Sequence, residues 1–193
     1  MITSERIELR RMSVELLDAL AAGDHAHAQA LAGFAIADAW SLWDRAHART
    51  RAAELRAVPE RAPWISRAIV ERASAVMVGR MGFHDRPGAD DLEPWSPRGD
   101  GPGAVEIGYA VFAPYRGRGY ASEAAAALID WATRRGIAQV VASVSPTNAA
   151  SLRVIARLGF VRVGERMDER DGLEHVFVRD ARVAACAPVA PRP

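Results

Sequence analysis

The alternation of apolar and polar positions predicts one strand and then helices in the first part of the chain. Apolar residues alternate with charged ones at about Arg6–Arg11, which is the pattern of a half-buried strand. Ser13 is then placed as the N-cap of a helix that ends at Gly23. The Ala-rich stretch Asp24–Ala57 contains few helix breakers and predicts one or two further helices.

Three strands and one long loop are predicted next. Strand-forming residues occupy Trp64–Glu71, Ala75–His84 and Ala104–Ala113. The segment Asp85–Gly103 between the last two is rich in Pro and Gly, and a loop of this length is usually functional or mobile.

After Gly119 the pattern predicts a helix, a strand, a second helix and a hairpin. Ile137–Val144 is apolar and β-branched, which indicates a central strand. Asn148 is placed as the N-cap of the short second helix, and the turn Asp171-Gly172 predicts a closing hairpin. The first helix should bury a stripe formed by Ala124, Ala127, Leu128 and Trp131.

Composition agrees with one globular domain. The 193 residues, half of them apolar, are assigned to a single domain at 1–180 and a disordered tail at 181–193. A net charge of +1 gives no general attraction to nucleic acid or to anionic membranes. Cys186 is the only cysteine, which excludes an internal disulfide and a cysteine-built zinc site. With no signal peptide pattern and no apolar run of about 20 residues, a cytoplasmic location is expected.

The sequence Arg-Gly-Arg-Gly-Tyr-Ala at 116–121 predicts an anion site between a strand and a helix. Glycines let the backbone approach a ligand, and the first turn of a helix has unpaired N–H groups. Arg116 and Arg118 add positive charge and further donors. Such a site would suit a pyrophosphate.

Other interpretations of these glycines fit less well. A dinucleotide-binding fingerprint needs a third small residue at the place of Ser122 and a position after the first strand, near the N-terminus, and residues 116–121 lack that position. A P-loop would need a following Gly-Lys-Ser/Thr, and an RNA-binding Arg-Gly tract would be repeated. An ordinary strand-to-helix turn remains open on the glycines alone.

The wider context of the loop resembles the GNAT superfamily of N-acetyltransferases. Residues 116–121 resemble the Arg/Gln-x-x-Gly-x-Gly/Ala motif of that family. Glu-Ile-Gly-Tyr at 106–109 resembles its fourth strand, and the segments 146–151 and 157–160 resemble its second cofactor motif. The opening strand resembles that of the RimJ/RimL-like branch, which contains ribosomal-protein N-terminal acetyltransferases.

The resemblance implies the GNAT fold of the α/β (α+β) class, a mixed and strongly twisted sheet of about six to seven strands with helices on both faces. The fourth and fifth strands would splay apart, and the pantetheine arm of acetyl-CoA would enter between them. The pyrophosphate would lie on the amides of residues 116–121. The implied cofactor-binding residues are Val111, Phe112, Ala113, Arg116, Gly117, Arg118, Gly119, Tyr120, Ala121, Asn148 and Ser151.

Acetyl transfer to an amine requires a base, a polarised thioester carbonyl and a stabilised leaving thiolate. The resemblance places Glu106 at the general-base position of the histone acetyltransferase branch, with a structural carboxylate as the alternative. A backbone N–H near Val111 or Phe112 would polarise the carbonyl. Ile155 stands where many members carry a tyrosine acid, so Ser151 is the candidate to bond the sulfur, or no acid is needed.

No metal site is expected. His25 and His27 are two residues apart in a predicted helix, where their side chains face different directions. His84 could face the acceptor, with an ordinary surface histidine as the alternative.

The acceptor is predicted to be cationic. An acidic rim attracts a cationic amine, and the long loop is acidic. Trp95 lies in this loop and could line an acceptor groove, whereas Trp40 and Trp43 are expected in the core. The loop acids are Asp85, Asp90, Asp91, Glu93 and Asp100.

Three functions remain open at this point. The leading one is transfer of the acetyl group of acetyl-CoA to a primary amine, on a protein N-terminus or a small molecule, by direct attack in a ternary complex. The alternative is a non-catalytic sensor or regulatory module that binds acetyl-CoA, and the third is a nucleotide- or RNA-binding protein. The expected partners are acetyl-CoA and an amine, without metal, nucleic acid or membrane, in a monomer or homodimer.

Overall fold

The computed structural model describes residues 1–88, 92, 95, 103–169 and 171–181 of the chain. Their contacts group them into two compact units. The first unit comprises Met1–Arg86 and Gly108–Leu128, and the second comprises the remaining described residues. One strand and one helix contribute residues to both units, because the divisions after Ile107 and after Leu128 fall inside them.

The first unit combines antiparallel strands with helices. Its elements are β1 (Ile2–Thr3), β2 (Ile7–Arg11), α1 (Val14–Ala22), α2 (His25–Ala32), β3 (Ala35–Ile36), α3 (Leu42–Ala57), a 3-10 turn (Pro59–Arg61), β4 (Arg67–Glu71), β5 (Val76–Phe83), and parts of β6 (Ala104–Val111) and α4 (Tyr120–Thr133). The strand order is β1-β2-β4-β5-β6, and β3 pairs in parallel with β5. The pairs β1–β2, β2–β4 and β4–β5 are antiparallel.

The second unit continues from β6 with a parallel pair followed by antiparallel pairs. Its further elements are β7 (Gln139–Val144), α5 (Ala149–Arg157), β8 (Val161–Asp168) and β9 (Gly172–Asp180). The strand order is β6-β7-β9-β8, with β7 paired on both edges. The predicted mixed α+β class, the central position of β7 and the closing hairpin are therefore confirmed.

Local signals fixed several helix ends. Ser13 Oγ accepts from Leu16 N at 3.2 Å at the start of α1, and Gly23 ends that helix with a φ of +80°. Asn148 caps α5, accepting from Ser151 N at 3.1 Å. These predictions are confirmed.

Two predicted boundaries were less accurate. The Ala-rich stretch forms α2 and α3 but also contains the short strand β3, which the pattern did not predict. The strand predicted from Trp64 begins only at Arg67.

The predicted stripe of α4 is buried at Ala124, Leu128 and Trp131, whereas Ala127 is half-buried.

The core of the first unit holds Trp40, as predicted. Trp40 is buried, and its indole Nε1 donates to Leu20 O at 3.2 Å. The ring meets Phe112 edge-on, with centroids 5.8 Å apart. Because Phe112 follows β6, this contact links the segment between β3 and α3 to the end of the strand predicted to bind the cofactor.

Trp43 was expected in the core, and that prediction is wrong. Its side chain is 66% exposed and stacks on His47, with ring centroids 5.8 Å apart. The guanidinium of Arg80 lies over the same indole, 4.3 Å from its centroid. Arg80 is itself buried and bonds Asp44 at 3.0 Å. The buried cation therefore holds the indole at the surface.

His47 should make stability depend on pH. Burial, together with the charges of Arg80 and Arg51, lowers the pKa of His47 to about 3, against the weaker opposing effect of Asp44. As the pH falls, His47 therefore takes up a proton in the unfolded chain before it does so in the folded chain. The free energy of unfolding is highest above about pH 6.5 and decreases as the pH falls toward 3. The unfolding free energy should drop by up to about 2 kcal/mol between pH 6.5 and pH 5.

Urea unfolding at these two pH values tests this expectation, with His47→Gln as the variant that cannot titrate. The wild type should lose more stability than the variant over the interval. Equal losses in the two proteins would show that His47 is not the group responsible.

Trp95 contributes to the core of the second unit. It packs against a buried cluster formed by Leu92, Ala104, Val141 and Val176. A Cβ on Gly164 of β8 would lie 2.6 Å from the Trp95 ring, so the ring occupies the space that the glycine leaves open. The idea that Trp95 lines an acceptor groove is not supported by this packing.

Candidate active site

The loop predicted to bind an anion connects β6 to α4 in the first unit. β6 ends at Val111, a 3-10 turn follows at Ala113–Tyr115, and α4 begins at Tyr120. Gly117 and Gly119 have left-handed backbones, with φ of +77° and +83°. Residues with a Cβ rarely adopt these values, so both positions favour glycine. A Cβ on Gly117 would meet no atom within 4 Å, which leaves this backbone open to a ligand.

Arg116 and Arg118 flank the glycines and are both anchored to backbone carbonyls. Arg116 Nε donates to Val111 O at 3.0 Å, and Arg118 Nη2 donates to Pro114 O at 3.1 Å. The Arg118 guanidinium also lies over the Tyr115 ring, 5.6 Å from its centroid. Both arginines are exposed, so they are held close to the loop and remain accessible to an anion.

Three charged side chains that the sequence reasoning missed form contacts at this loop and at the start of α4. Arg6 Nη1 donates to Arg118 O at 2.9 Å and pairs with Glu123. Tyr120 OH donates to Glu71 at the end of β4. These contacts join distant parts of the chain, and no local sequence pattern could have indicated them. They hold the start of α4 against the strands of the first unit.

The backbone of Phe112 is not available to polarise a thioester. Its N–H donates to Val78 O of β5 at 2.9 Å, which corrects the prediction that either Val111 or Phe112 supplies that donor. Successive N–H groups along a strand point to opposite edges. The Val111 N–H therefore points away from β5 and is the remaining candidate.

Glu106 is the last residue of β6 that is paired with β7, opposite Val141. Its side chain is 1% exposed and accepts two hydrogen bonds from Arg166 of β8, at 2.9 and 3.1 Å. Arg166 Nε also donates to Glu174 of β9 at 3.2 Å. The second unit thus contains a carboxylate–guanidinium–carboxylate cluster that sequence reasoning did not find.

The charges of this cluster shift two pKa values. Burial lowers the pKa of Arg166, but the charges and hydrogen bonds of Glu106 and Glu174 outweigh it and raise that pKa overall. Burial raises the pKa of Glu174, and Arg166 offsets it only in part. Arg166 is therefore a permanent cation between the two carboxyl groups.

The other predicted residues of the second unit lie at the start of α5. Asn148 uses its side chain as the helix cap for Ser151 N, and Ser151 is half-buried. Ile155, at the position of the family's tyrosine, is 1% exposed. It packs in the interior and offers no proton donor.

The histidines do not form a metal site in the part of the chain that the structure describes. No group of three or more His, Cys, Asp or Glu side chains there could hold a metal ion. His84 lies against β6, since a Cβ on Gly108 would be 2.7 Å from His84 Nε2. Among the described residues, no helix has the length and apolar character needed to cross a membrane.

Comparison with known proteins identifies the family. The family model described as "Acetyltransferase (GNAT) domain" matches residues 6–161, more than half of the chain. The chain therefore belongs to the GNAT acetyltransferase family. It is also 28% identical over 166 residues to the Bacillus subtilis (strain 168) protein YjdG, an uncharacterized N-acetyltransferase, covering 83% of this chain and 89% of that protein.

Solved structures with the same fold agree. A GNAT-family acetyltransferase from Bacillus anthracis has a TM-score of 0.63 at 18% identity, covering 94% of this chain and 99% of that one. RimJ from Mycobacterium smegmatis, solved in complex with CoA-disulfide, has a TM-score of 0.61 at 19% identity, covering 93% and 87%. The predicted resemblance to the RimJ/RimL-like branch is thus confirmed at the level of the fold.

Proposed function

We propose that the protein transfers the acetyl group of acetyl-CoA to a primary amine by direct attack in a ternary complex. The observation that carries this proposal is the open glycine backbone at the start of α4, flanked by two exposed arginines. Membership of the acetyltransferase family supports it. RimJ from Mycobacterium smegmatis is a CoA-bound structural neighbour.

The residues of the loop fit the phosphate groups of acetyl-CoA. The unpaired N–H groups at the start of α4 would donate to a diphosphate, and Gly117 and Gly119 let it approach the backbone. Arg116, Arg118 and the helix dipole would add positive charge. Val111, Ala113, Tyr120 and Ala121 would contribute backbone along the same segment. Asn148 and Ser151 are proposed to contact the pantetheine arm.

Acetyl-CoA would supply an activated thioester, and the chain's own residues would move the protons. We assign polarisation of the carbonyl to the Val111 N–H. Glu106, held by Arg166, would accept the proton of the amine through a water. Both Glu106 oxygens accept hydrogen bonds from the Arg166 guanidinium, which fixes the orientation of the carboxylate. Ser151 would donate to the departing sulfur.

A second candidate function is a non-catalytic module that binds acetyl-CoA and reports its level. Two observations favour it: the buried Ile155 in place of the tyrosine acid, and the fixed pairing of Glu106 with Arg166. Both functions use the same loop, so they differ only in turnover.

The acceptor is proposed to be cationic, as a peptide N-terminus or a small polyamine-like compound. The support is the acidic character of the loop at 85–103. Asp85 itself is paired with Arg61 at 2.6 Å and is therefore partly neutralised. The other acids, Asp90, Asp91, Glu93 and Asp100, lie outside the described residues.

The test is release of free thiol from acetyl-CoA in the presence of individual amines. The panel contains peptides with free N-termini, polyamines, amino acids and aminoglycosides. Thiol release with one amine class, and product of the mass of the acetylated amine, supports the enzyme. Tight acetyl-CoA binding without turnover on any amine favours the sensor, and absence of binding contradicts both.

A further inference from the structure

Arg6 immediately precedes β2 and lies across the glycine loop of the first unit. Its Nη1 donates to Arg118 O at 2.9 Å, and its Nη2 would be 3.3 Å from a Cβ on Gly119. The Arg6 side chain is 47% exposed. An accessible guanidinium therefore stands beside the backbone to which a phosphate would bind.

Glu123, in the first turn of α4, places a carboxylate beside the same loop. It accepts from Ser4 Oγ at 2.7 Å, from the Arg6 backbone N at 2.8 Å and from Arg6 Nε at 2.7 Å. Burial raises the pKa of Glu123, but these hydrogen bonds and the charge of Arg6 outweigh it and lower that pKa overall. Glu123 is therefore ionised at neutral pH.

An ionised carboxylate at a helix N-terminus interacts favourably with the same N–H groups and dipole that an anionic ligand uses. Glu123 alone would stabilise α4 yet repel a diphosphate at its start. Arg6 is placed to cancel that repulsion, because its guanidinium pairs with Glu123, donates to the Arg118 carbonyl and lies beside the space that the missing side chain of Gly119 leaves.

We propose that Arg6 is a positioning residue of the phosphate site, which neutralises Glu123 and fixes the Arg118 carbonyl so that the loop accepts a diphosphate. This rests on the proposed function, since acetyl-CoA is the ligand. The role depends on charge: the site needs Arg6 because Glu123 is present. Removing both charges should therefore harm binding less than removing Arg6 alone.

The experiment compares Arg6→Ala with the double variant Arg6→Ala/Glu123→Gln, by calorimetric titration with acetyl-CoA. Arg6→Ala should bind acetyl-CoA about tenfold more weakly than the wild type. This loss lies in the upper part of the range of energies with which a charge interacts with a helix end. The double variant should recover most of this loss. With S-acetylpantetheine, a donor without the diphosphate, the kcat/KM of Arg6→Ala should equal that of the wild type.

Arg10→Ala is the matched control. Arg10 lies on the neighbouring strand β2, pairs with Glu8 at 2.8 Å and stacks on Phe34, so its loss should leave acetyl-CoA affinity unchanged. Melting temperatures establish that each variant is folded. Should Arg6→Ala not fold, Arg6→Lys, which keeps the charge, is compared with Arg6→Gln, which does not.

Three outcomes overturn the proposal. The first is wild-type affinity for acetyl-CoA in folded Arg6→Ala, or in Arg6→Gln if that variant replaces it. The second is a double variant that binds acetyl-CoA as weakly as Arg6→Ala, and the third is a loss of kcat/KM with S-acetylpantetheine equal to the loss of affinity for acetyl-CoA. Absence of acetyl-CoA binding by the wild-type protein would instead overturn the proposed function.

Discussion

Replacing Gly119 by glutamate is expected to weaken acetyl-CoA binding by at least about 100-fold, because like charges brought together at a binding site cost several kcal/mol. The new carboxylate would stand at the start of α4, where the diphosphate is proposed to bind. The backbone adds to the effect, since φ at this position is +83° and disfavours any residue with a Cβ. Calorimetric titration with acetyl-CoA measures the change.

Two controls separate charge from backbone strain. Gly119→Ala carries the strain without the charge and should weaken binding less. Gly33→Glu places the same carboxylate at another left-handed glycine, with φ of +68° and no atom within 4 Å of its Cβ, and should not affect binding. A folded Gly119→Glu protein with wild-type affinity would exclude the loop from the cofactor site.

Replacing Glu106 by glutamine should lower kcat about 100-fold at pH 7, the low end for loss of a general base. Glutamine keeps the shape of the side chain but cannot take the proton of the amine. The deficit should shrink at high pH, where more of the amine is already deprotonated. Affinity for acetyl-CoA should change little. Steady-state rates under conditions where chemistry is rate-limiting measure the effect.

Glu174→Gln is the matched variant for this experiment. Glu174 contacts the same guanidinium, with its oxygen 3.2 Å from Arg166 Nε, but has no proposed catalytic role. Its loss should leave kcat within about threefold of the wild type, because a neighbouring ion-pair partner remains on Arg166. If Glu106→Gln and Glu174→Gln lose kcat equally, or if folded Glu106→Gln keeps the wild-type kcat, Glu106 has a structural role.

Features that depend on neighbouring residues were predictable. The caps at Ser13 and Asn148 follow from side-chain oxygens that reach three residues ahead, and the helix end at Gly23 follows from the left-handed backbone that glycine allows; the structure has all three. The central position of β7 also followed from its continuous apolar pattern, which is typical of a strand inside a sheet whose two faces are covered, whereas the pattern did not predict that β6 and β9 are its neighbours.

Features that depend on distant partners were not predictable. Arg6 meets Glu123 across 117 residues, and Glu106 meets Arg166 across 60, so nothing near either residue indicates its partner. Trp43 was misplaced for a related reason: the helical pattern placed it in the core, but stacking on the buried Arg80 keeps its indole at the surface.

Phe112 is held in place through three different groups. Its ring meets Trp40, its N–H donates to Val78 O, and its carbonyl accepts from Tyr115 N at 2.9 Å. The peptide group between Val111 and Phe112 is therefore fixed before any ligand arrives, and it restricts the Ala110–Val111 peptide group next to it, which carries the Val111 N–H. Orienting that donor would cost little entropy at the moment of binding, since folding has already ordered it. A substitution at Trp40, remote from the chemistry in sequence, would return that freedom to the strand end.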